Sequence, residues 1–213
     1  MKTVLLTGFE PFAGDKLNPS GEIARQLDGA VIGGWQVRGA VLPCVFGKSA
    51  KELDRLLKAH RPALVICLGL ASGRAEITPE RVAINVDDAR LPDNAGRQPV
   101  DRPIVVGGPA AYWSTLPIKA IVQALRRNRI PAAVSQTAGT FVCNHVFYAL
   151  MHRLAQKRTA VRGGFIHIPA QPELAKKGQP SLPLRTMRDA VALAIEVAAK
   201  RGRDVRRAGG AVA

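Results

Sequence analysis

The amino-acid sequence predicts an α/β fold: a single domain with an open, twisted, largely parallel (mixed) sheet and helices on both faces. Short apolar runs alternate with amphipathic stretches along the chain, which is typical of βαβ units. The length of 213 residues and the hydrophobic fraction of 47% are those of a globular domain with its own core. We therefore expect one α/β domain over residues 1–199 and a basic, flexible tail over residues 200–213.

The first half of the chain predicts the order strand, helix, strand, helix, strand. Both helical segments are amphipathic, and the last strand is continuously apolar, as in a parallel strand covered on both faces. The five segments in order are KTVLLTGF, SGEIARQL, WQVRGAVLP, SAKELDRLLKAH and ALVICLGL.

The middle of the chain, from Ser72 to Pro117, is polar and rich in proline, with one predicted strand, RVAINV. Loops of this length in compact domains are usually functional or disordered. Because Ile104, Tyr112 and Trp113 are large and apolar, we expect them to pack. The segment is therefore predicted to be an ordered insertion over a site.

The alternation resumes after this segment. The predicted elements are a helix, a strand, a helix and a strand, namely LPIKAIVQALRRN, AAVSQ, VCNHVFYALMHRLAQ and GGFIHIP. A final helix is predicted from about Leu184 to Arg201, because apolar residues recur there at helical spacing. They are Leu184, Met187, Val191, Ile195 and Ala198.

The net charge of +15 raises the possibility of nucleic-acid binding. Part of it lies in the terminal run KRGRDVRR, and the rest is scattered without the interleaved aromatic residues that stack on bases. A solvated basic surface is therefore favoured, and nucleic-acid binding is the minority alternative. The apolar run Val4 to Leu6 is too short for a signal peptide, and no segment is long enough to span a membrane.

The cysteines and glycines exclude several kinds of site. Cys44, Cys67 and Cys143 form no metal-like cluster, and their odd number favours a reducing cytoplasm. The run FGKS resembles the end of a phosphate-binding loop, but Leu42 stands where that motif needs glycine. We expect no metal and no organic cofactor.

Cys143 is the candidate nucleophile. It opens a predicted helix after the small-residue turn TAGT, where free N–H groups and the helix dipole favour a thiolate and can hold an oxyanion. Its neighbour His145 is a poor base, since residues two apart on a helix point about 200° away from each other. A thiol packed in the core is the competing interpretation.

The best candidate base is His167, near the carboxyl end of a predicted strand, where α/β sites form. His60 lies at a helix end and His152 lies at a poor angle to Cys143. Periodicity does not choose the acid that orients the imidazole. Three carboxylates remain open, those of Glu80, Asp87 and Asp88.

Six blocks, in this order and spacing, closely resemble the pyroglutamyl-peptidase I family of cysteine peptidases. They are VLLTGFEPFAGDKLNPS, ITPERVAIN, DARLPDN, GGPAAYWSTLPIKAIV, AAVSQTAGTFVCNHVFYALMH and GGFIHIP. The resemblance implies a catalytic triad of Cys143, His167 and Glu80. It also implies that Arg90 lies at the catalytic centre, where it assists the oxyanion or shapes the site.

The resemblance further implies the activity. The family removes an N-terminal pyroglutamyl (5-oxoprolyl) residue from peptides through a thioester acyl-enzyme, without a cofactor, and its members often form dimers or tetramers. The substrate-binding positions that match are Phe9, Phe12, Asn18, the backbone at Leu70, Phe141 and Val142.

Departures from the family pattern are confined to details. Ala13, Ser72 and Ala170 stand where the family usually has glycine, glycine and an aromatic residue, which leaves loop shape and leaving-side preference open. Cys44 is expected to be a packing residue, with a second reactive thiol as the alternative. A thiol amidase of other acyl specificity is the competing enzyme.

Overall fold

The computed structural model describes residues 1–157 and 160–210. Its strands are β1 (Thr3–Phe9), β2 (Val31–Ile32), β3 (Trp35–Leu42), β4 (Leu64–Leu70), β5 (Thr78–Pro79), β6 (Val82–Ile84), β7 (Ala111–Trp113) and β8 (Arg162–Ile168). Its helices are α1 (Pro19–Gln26), α2 (Lys48–His60), α3 (Ile118–Arg127), α4 (Val142–Gln156) and α5 (Leu184–Lys200). No helix in the described ranges is long and apolar enough to cross a membrane.

The main sheet has the spatial order β2-β3-β1-β4-β8-β5. Its four central strands are parallel, and the short edge strands β2 and β5 are antiparallel to their neighbours. Strand β4 is apolar along its whole length, and β8 is buried from Gly163 to Ile168, because both faces of these parallel strands are covered. The predicted largely parallel, mixed sheet is confirmed.

Helices cover both faces of the sheet, as predicted. One face packs on α1, α3 and α5, and its core includes Leu6, Ile66 and Ile166. The other face packs on α2 and α4, with Val65 and Phe165 in its core. Side chains alternate between the faces along each strand, so every second residue of β4 and β8 points toward α4.

The middle segment is ordered, but one of its large residues is not packed as expected. Ile104 and Tyr112 lie against the core beneath α4. Strands β6 and β7 pair into a small antiparallel sheet, of which only β6 was predicted. Trp113 is 69% exposed, because neighbouring residues of a strand face opposite sides and Tyr112 takes the inward one. The expectation that Trp113 packs was therefore wrong.

The predicted strand AAVSQ runs beside residues 77–81 without becoming a regular strand. Its pairing is limited to isolated bridges from Ile77 to Ala132 and from Glu80 to Ser135. Pro131 precedes it and has no N–H, so it enters the ladder only through its carbonyl, which accepts from Ile77 N at 2.9 Å. The stretch nevertheless fixes the position of Glu80.

Residues 201–210 lie against α3. The carboxylate of Asp204 accepts hydrogen bonds from the backbone N–H groups of Lys119 and Ala120, at 3.0 and 2.9 Å. Helix α3 has Pro117 at its N-cap and no capping side chain of its own. Asp204 therefore caps α3 from a distant part of the sequence. The flexibility expected for residues 200–213 stays a prediction, and residues 211–213 lie outside the described ranges.

Candidate active site

Cys143 is the second residue of α4, so it lies in the first helical turn as predicted. The preceding turn uses Gly139 with φ of 74°, a conformation that favours glycine. Phe141 is the N-cap and supplies no capping side chain. The first N–H groups of an α-helix have no partner within the helix, and that of Cys143 is one of them.

The thiol of Cys143 lies over the carboxyl ends of β4 and β8. A Cβ atom added to Gly69 would be 2.8 Å from Cys143 Sγ and 2.8 Å from the ring of Phe165. Gly69 is also the register partner of His167 in the parallel pairing of β4 with β8. Because Gly69 has no side chain, the thiol fits against this position of β4. His167 lies at the neighbouring position of β8.

His167 and Glu80 form a buried pair. His167 Nδ1 is 2.7 Å from Glu80 Oε1. Glu80 directly follows β5, whose antiparallel pairing places Thr78 opposite His167, and the N–H of Glu80 donates to the carbonyl of Phe165 at 2.9 Å. Since a carboxylate only accepts hydrogen bonds, Nδ1 carries the proton, and Nε2 is left as the basic nitrogen.

Arg74 is a second partner of Glu80. Its Nη1 donates to Glu80 Oε1 at 2.8 Å and to Thr78 Oγ1 at 2.7 Å. Its Nη2 donates to the carbonyl of Thr137 at 3.2 Å, in the turn before the nucleophile. The acid of the site is thereby joined to the loop that leads into α4.

Burial sets the protonation of the two central groups. It raises the pKa of Cys143 well above its ordinary value, with smaller contributions from Cys44 and Glu80 in the same direction. Burial also lowers the pKa of His167, an effect that the hydrogen bond from His167 to Glu80 opposes and the charge of Arg74 reinforces. Burial thus disfavours the charged form of both groups, whereas the helix dipole favours the thiolate.

The other histidines are engaged elsewhere. His145 Nδ1 is 2.8 Å from Asp87 Oδ2, and its Nε2 accepts from the N–H of Gly47 at 3.1 Å. The two nitrogens of His152 contact Tyr112 and Gln156. His60 is the last residue of α2 and is exposed. The rings of His145 and His152 are thus engaged with other partners, which agrees with the helix-geometry argument.

Three aromatic side chains lie next to one another near the thiol, and we call them the aromatic wall: Phe12, Phe46 and Phe141. The ring centroids of Phe12 and Phe141 are 5.0 Å apart, and Phe46 meets Phe141 edge to face at 5.2 Å. Phe12 and Phe141 are half-buried, whereas Phe9 and Val142 are buried behind them. The predicted apolar residues are thus brought together, and Phe46 adds a ring that was not predicted.

The predicted polar contacts are placed differently. Asn18 caps α1: its Oδ1 accepts from Ser20 N at 3.1 Å, and its Nδ2 donates to the carbonyl of Glu10 at 2.9 Å. Leu70 is half-buried at the carboxyl end of β4. The amide of Asn18 therefore holds the Phe9–Phe12 loop against α1, and its contact with a substrate ring stays a prediction.

Arg90 is exposed on a loop that is tied to the nucleophile turn. Asp88 and Thr140 exchange two hydrogen bonds, from Asp88 N to Thr140 O at 2.9 Å and from Thr140 Oγ1 to Asp88 O at 2.7 Å. The guanidinium is thus carried by a segment that is anchored three residues before Cys143. Its role stays a prediction.

The whole chain has close relatives of one kind. A family model described as pyroglutamyl peptidase matches residues 2–201. The pyrrolidone-carboxylate peptidase of Bacillus cytotoxicus is 56% identical over 99% of both chains. The crystal structure of pyroglutamyl peptidase I from Bacillus amyloliquefaciens has a TM-score of 0.94 and 50% identity, and covers 96% of this chain and 100% of its own.

The chain belongs to the pyroglutamyl peptidase family. A second solved relative, the pyrrolidone carboxyl peptidase of Thermococcus litoralis, has a TM-score of 0.91 at 42% identity and covers 94% of each chain. The resemblance stated from the sequence is confirmed, as is the assignment to cysteine peptidases. In the described ranges, no group of three or more His, Cys, Asp or Glu side chains is arranged to hold a metal ion.

Two pyroglutamyl peptidase site residues were missed from the sequence. Arg74 lies four residues after β4, at the same sheet edge as the thiol, and that position was the available signal. Gly69 lies inside the continuous apolar run of β4. Its closeness to Cys143 depends on how α4 packs on the sheet, which no local pattern reveals.

Proposed function

We propose that Cys143, His167 and Glu80 hydrolyse the amide bond after an N-terminal pyroglutamyl residue, with Cys143 as nucleophile. The observation that carries the proposal is the thiol in the first turn of α4, over the strand ends that bear the hydrogen-bonded His167–Glu80 pair. The relatives named as pyroglutamyl and pyrrolidone-carboxylate peptidases give the acyl group.

Acylation begins from the neutral thiol. His167 Nε2 takes the proton of Cys143 as the sulfur bonds to the pyroglutamyl carbonyl carbon. The first-turn N–H groups of α4 hold the negative charge that forms on the oxygen. The imidazolium then gives its proton to the leaving amine, the amide bond breaks, and the shortened peptide departs.

Deacylation reverses the roles of the same groups. Neutral His167 takes a proton from water, and the resulting hydroxide attacks the thioester. The carbon–sulfur bond breaks, pyroglutamate leaves, and the proton returns to the sulfur. Glu80 keeps the imidazole oriented through Nδ1 and stabilises its charged form in both steps.

The aromatic wall fits a small neutral lactam. Phe12 and Phe141 offer half-buried faces to the flat ring, and Phe9 and Val142 back them from the core. The backbone at Leu70 and the amide of Asn18 are proposed to pair with the lactam N–H and carbonyl. A free N-terminal ammonium would lose its hydration without a charged partner, which costs several kcal/mol.

Arg90 is proposed to assist from the mouth of the site. The loop that carries it is bonded to the turn before Cys143, so its positive charge can approach the oxyanion or the peptide carbonyls. Because Arg90 is exposed, we expect its removal to lower activity by less than loss of a triad residue does.

We also propose where the protein is located and that it forms oligomers. Cys44, Cys67 and Cys143 are all free, which supports a reducing cytoplasm. We propose that the chain assembles into a dimer or tetramer. The family resemblance is the basis for this proposal, and Trp113, which is 69% exposed, is a candidate contact residue.

The acyl specificity is tested on three fluorogenic amides of aminocoumarin that carry pyroglutamyl, prolyl and glutamyl groups. Fast release is expected from the pyroglutamyl amide alone. The prolyl and glutamyl amides both bring a charged amine into an apolar wall. Equal rates on all three would contradict the assignment and favour a thiol amidase of broader specificity.

A further inference from the structure

We propose that Arg74 is a positioning residue of the site, which balances the charge of Glu80 and joins the acid to the turn before the nucleophile. It touches no reacting atom, so its effect passes through Glu80 and Thr137. This inference rests on the proposed function and deepens it.

Glu80 needs a compensating charge. It has no exposed surface, and burial lowers the pKa of its partner His167, which disfavours the charged ring. A buried carboxylate is strongly unfavourable unless a cation and hydrogen bonds compensate it. Arg74 is the cation in contact with Glu80, at 2.8 Å from Oε1, while Glu80 Oε2 has no hydrogen-bond partner among the described residues.

Arg74 also joins two segments of the chain. Its guanidinium reaches Thr78 Oγ1 and Glu80 Oε1 in and directly after β5, and the carbonyl of Thr137 in the turn before α4. A planar guanidinium holds such a set in fixed directions, which an ammonium does not. Arg74 therefore fixes where the carboxylate points and where the turn before Cys143 begins.

Arg74 also acts on the base, His167. Among the described residues, Glu80 and Arg74 act on the charge of His167, and Cys143 approaches from α4 beside Gly69, the register partner of His167. The charge of Arg74 lowers the pKa of His167 and so favours the neutral ring that acylation requires. Removing that charge makes proton uptake by the His167–Glu80 pair easier, so the pair should protonate at higher pH.

The test uses three substitutions and a matched control. Arg74→Met removes the charge and the hydrogen bonds, Arg74→Gln keeps an amide donor, and Arg74→Lys keeps the charge. The control is Arg81→Met. Arg81 is also half-buried and follows Glu80 directly, but it donates to Gln136 and to the carbonyl of Gly209, both at 2.7 Å, away from the triad.

The measured quantities are kcat, KM and the pH profile of kcat/KM on a pyroglutamyl aminocoumarin amide, with a thermal melt for each variant. For Arg74→Met and Arg74→Gln we expect kcat to fall about 10- to 100-fold, the size of an impaired acid–base step, with KM within about twofold. We also expect the acid limb to move to higher pH. Arg74→Lys should keep the wild-type acid limb and give an intermediate kcat.

Two results would overturn the inference. One is an Arg74→Gln enzyme with the kcat and acid limb of Arg81→Met. The other is a loss of activity that follows the loss of thermal stability at every pH, since a merely structural role shifts no pH profile. Arg74→Gln keeps the test available if Arg74→Met fails to fold. If the wild-type chain releases no aminocoumarin, the proposed function itself is wrong. That outcome differs from the two results that would overturn the role of Arg74.

Discussion

At the scale of single residues, Cys143 and His167 show how far local reasoning reaches. Cys143 was recognisable because it opens a helix after a glycine turn, and His167 because it ends a buried strand. Glu80 was not separable from Asp87 and Asp88 by pattern and was chosen only through the family resemblance. Arg74 and Gly69 escaped because their roles arise from contacts between segments far apart in sequence.

The buried pair predicts how activity depends on pH. Burial lowers the pKa of His167 below its ordinary value of about 6.5, so the ring stays neutral in the folded protein at neutral pH. The acid limb of kcat/KM should therefore have its midpoint below pH 6.5. A pH–rate profile measures it, and a midpoint above that value would contradict a neutral resting imidazole.

The same shift has a consequence for stability. Because the folded-state pKa of His167 is lower than the unfolded one, the unfolded chain takes up a proton first as the pH falls. The neutral ring therefore contributes to the free energy of unfolding above about pH 6.5, and this contribution is lost as the pH falls below that value. Urea unfolding of wild type and His167→Gln at pH 7.5 and 5.5 should show a smaller loss on acidification for the variant. Equal losses would argue against the shift.

We expect one methyl group added at Gly69 to lower kcat strongly. A Cβ at this position would lie 2.8 Å from both Cys143 Sγ and the Phe165 ring, so the thiol or the ring must move. Displacing a reacting atom by about 1 Å can cost about 100-fold in rate, and we expect kcat of Gly69→Ala to fall by about that factor.

The matched control for Gly69 is Gly164→Ala. Its added Cβ crowds Ser114 and Leu116 on the opposite face of β8. It should lower the melting temperature without a comparable loss of kcat from folded protein. If kcat falls in proportion to the melting temperature, and by the same ratio in both variants, general strain explains the loss of activity. The position of the thiol then does not.

At the scale of elements, the hydrophobic pattern predicted most helices and central strands. Helix α4 matches the predicted segment residue for residue, and the apolar stripe of α5 is buried from Met187 to Ala198. The predictions failed where a short segment forms a strand only by pairing with another segment of the chain. Strand β7 has three residues and exists only by pairing with β6, and AAVSQ is held by isolated bridges.

The distant cap of α3 gives a prediction at this scale. Replacing Asp204 with Ala leaves the N–H groups of Lys119 and Ala120 without their acceptor. Loss of such a cap costs about 0.5–2 kcal/mol of unfolding free energy. Urea denaturation should detect this loss, whereas Arg203→Ala on the exposed neighbour should be neutral. Equal effects would mean that the contact does not persist in solution.

At the scale of the whole molecule, fold class and family were both predictable, because the alternation of elements and six ordered sequence blocks extend over nearly the full chain. The basic charge was harder to interpret. A groove of about 720 Å³ beside α3 gathers Lys119, Arg126, Arg127 and Arg207, and no aromatic side chain is among the described residues that line it.

That groove allows a direct test of the nucleic-acid alternative. Charge without aromatic stacking gives weak binding that declines steeply with salt. We expect filter binding of single-stranded DNA to be absent at physiological salt for wild type and for the double variant Arg126→Gln, Arg127→Gln. Retention that survives physiological salt and is lost in the double variant would establish nucleic-acid binding instead.

Cys143 is proposed to be the nucleophile of this pyroglutamyl peptidase. The most direct measurement is the rate of aminocoumarin release from its pyroglutamyl amide by wild type, Cys143→Ala and Cys44→Ala, each verified as folded. Cys44 is the matched control, because it is a buried thiol close to Cys143, and burial raises its pKa to about 12. We predict that Cys143→Ala loses at least about 1,000-fold in rate while Cys44→Ala stays within about tenfold of wild type. Substantial activity in Cys143→Ala, or its loss in Cys44→Ala alone, would contradict the account.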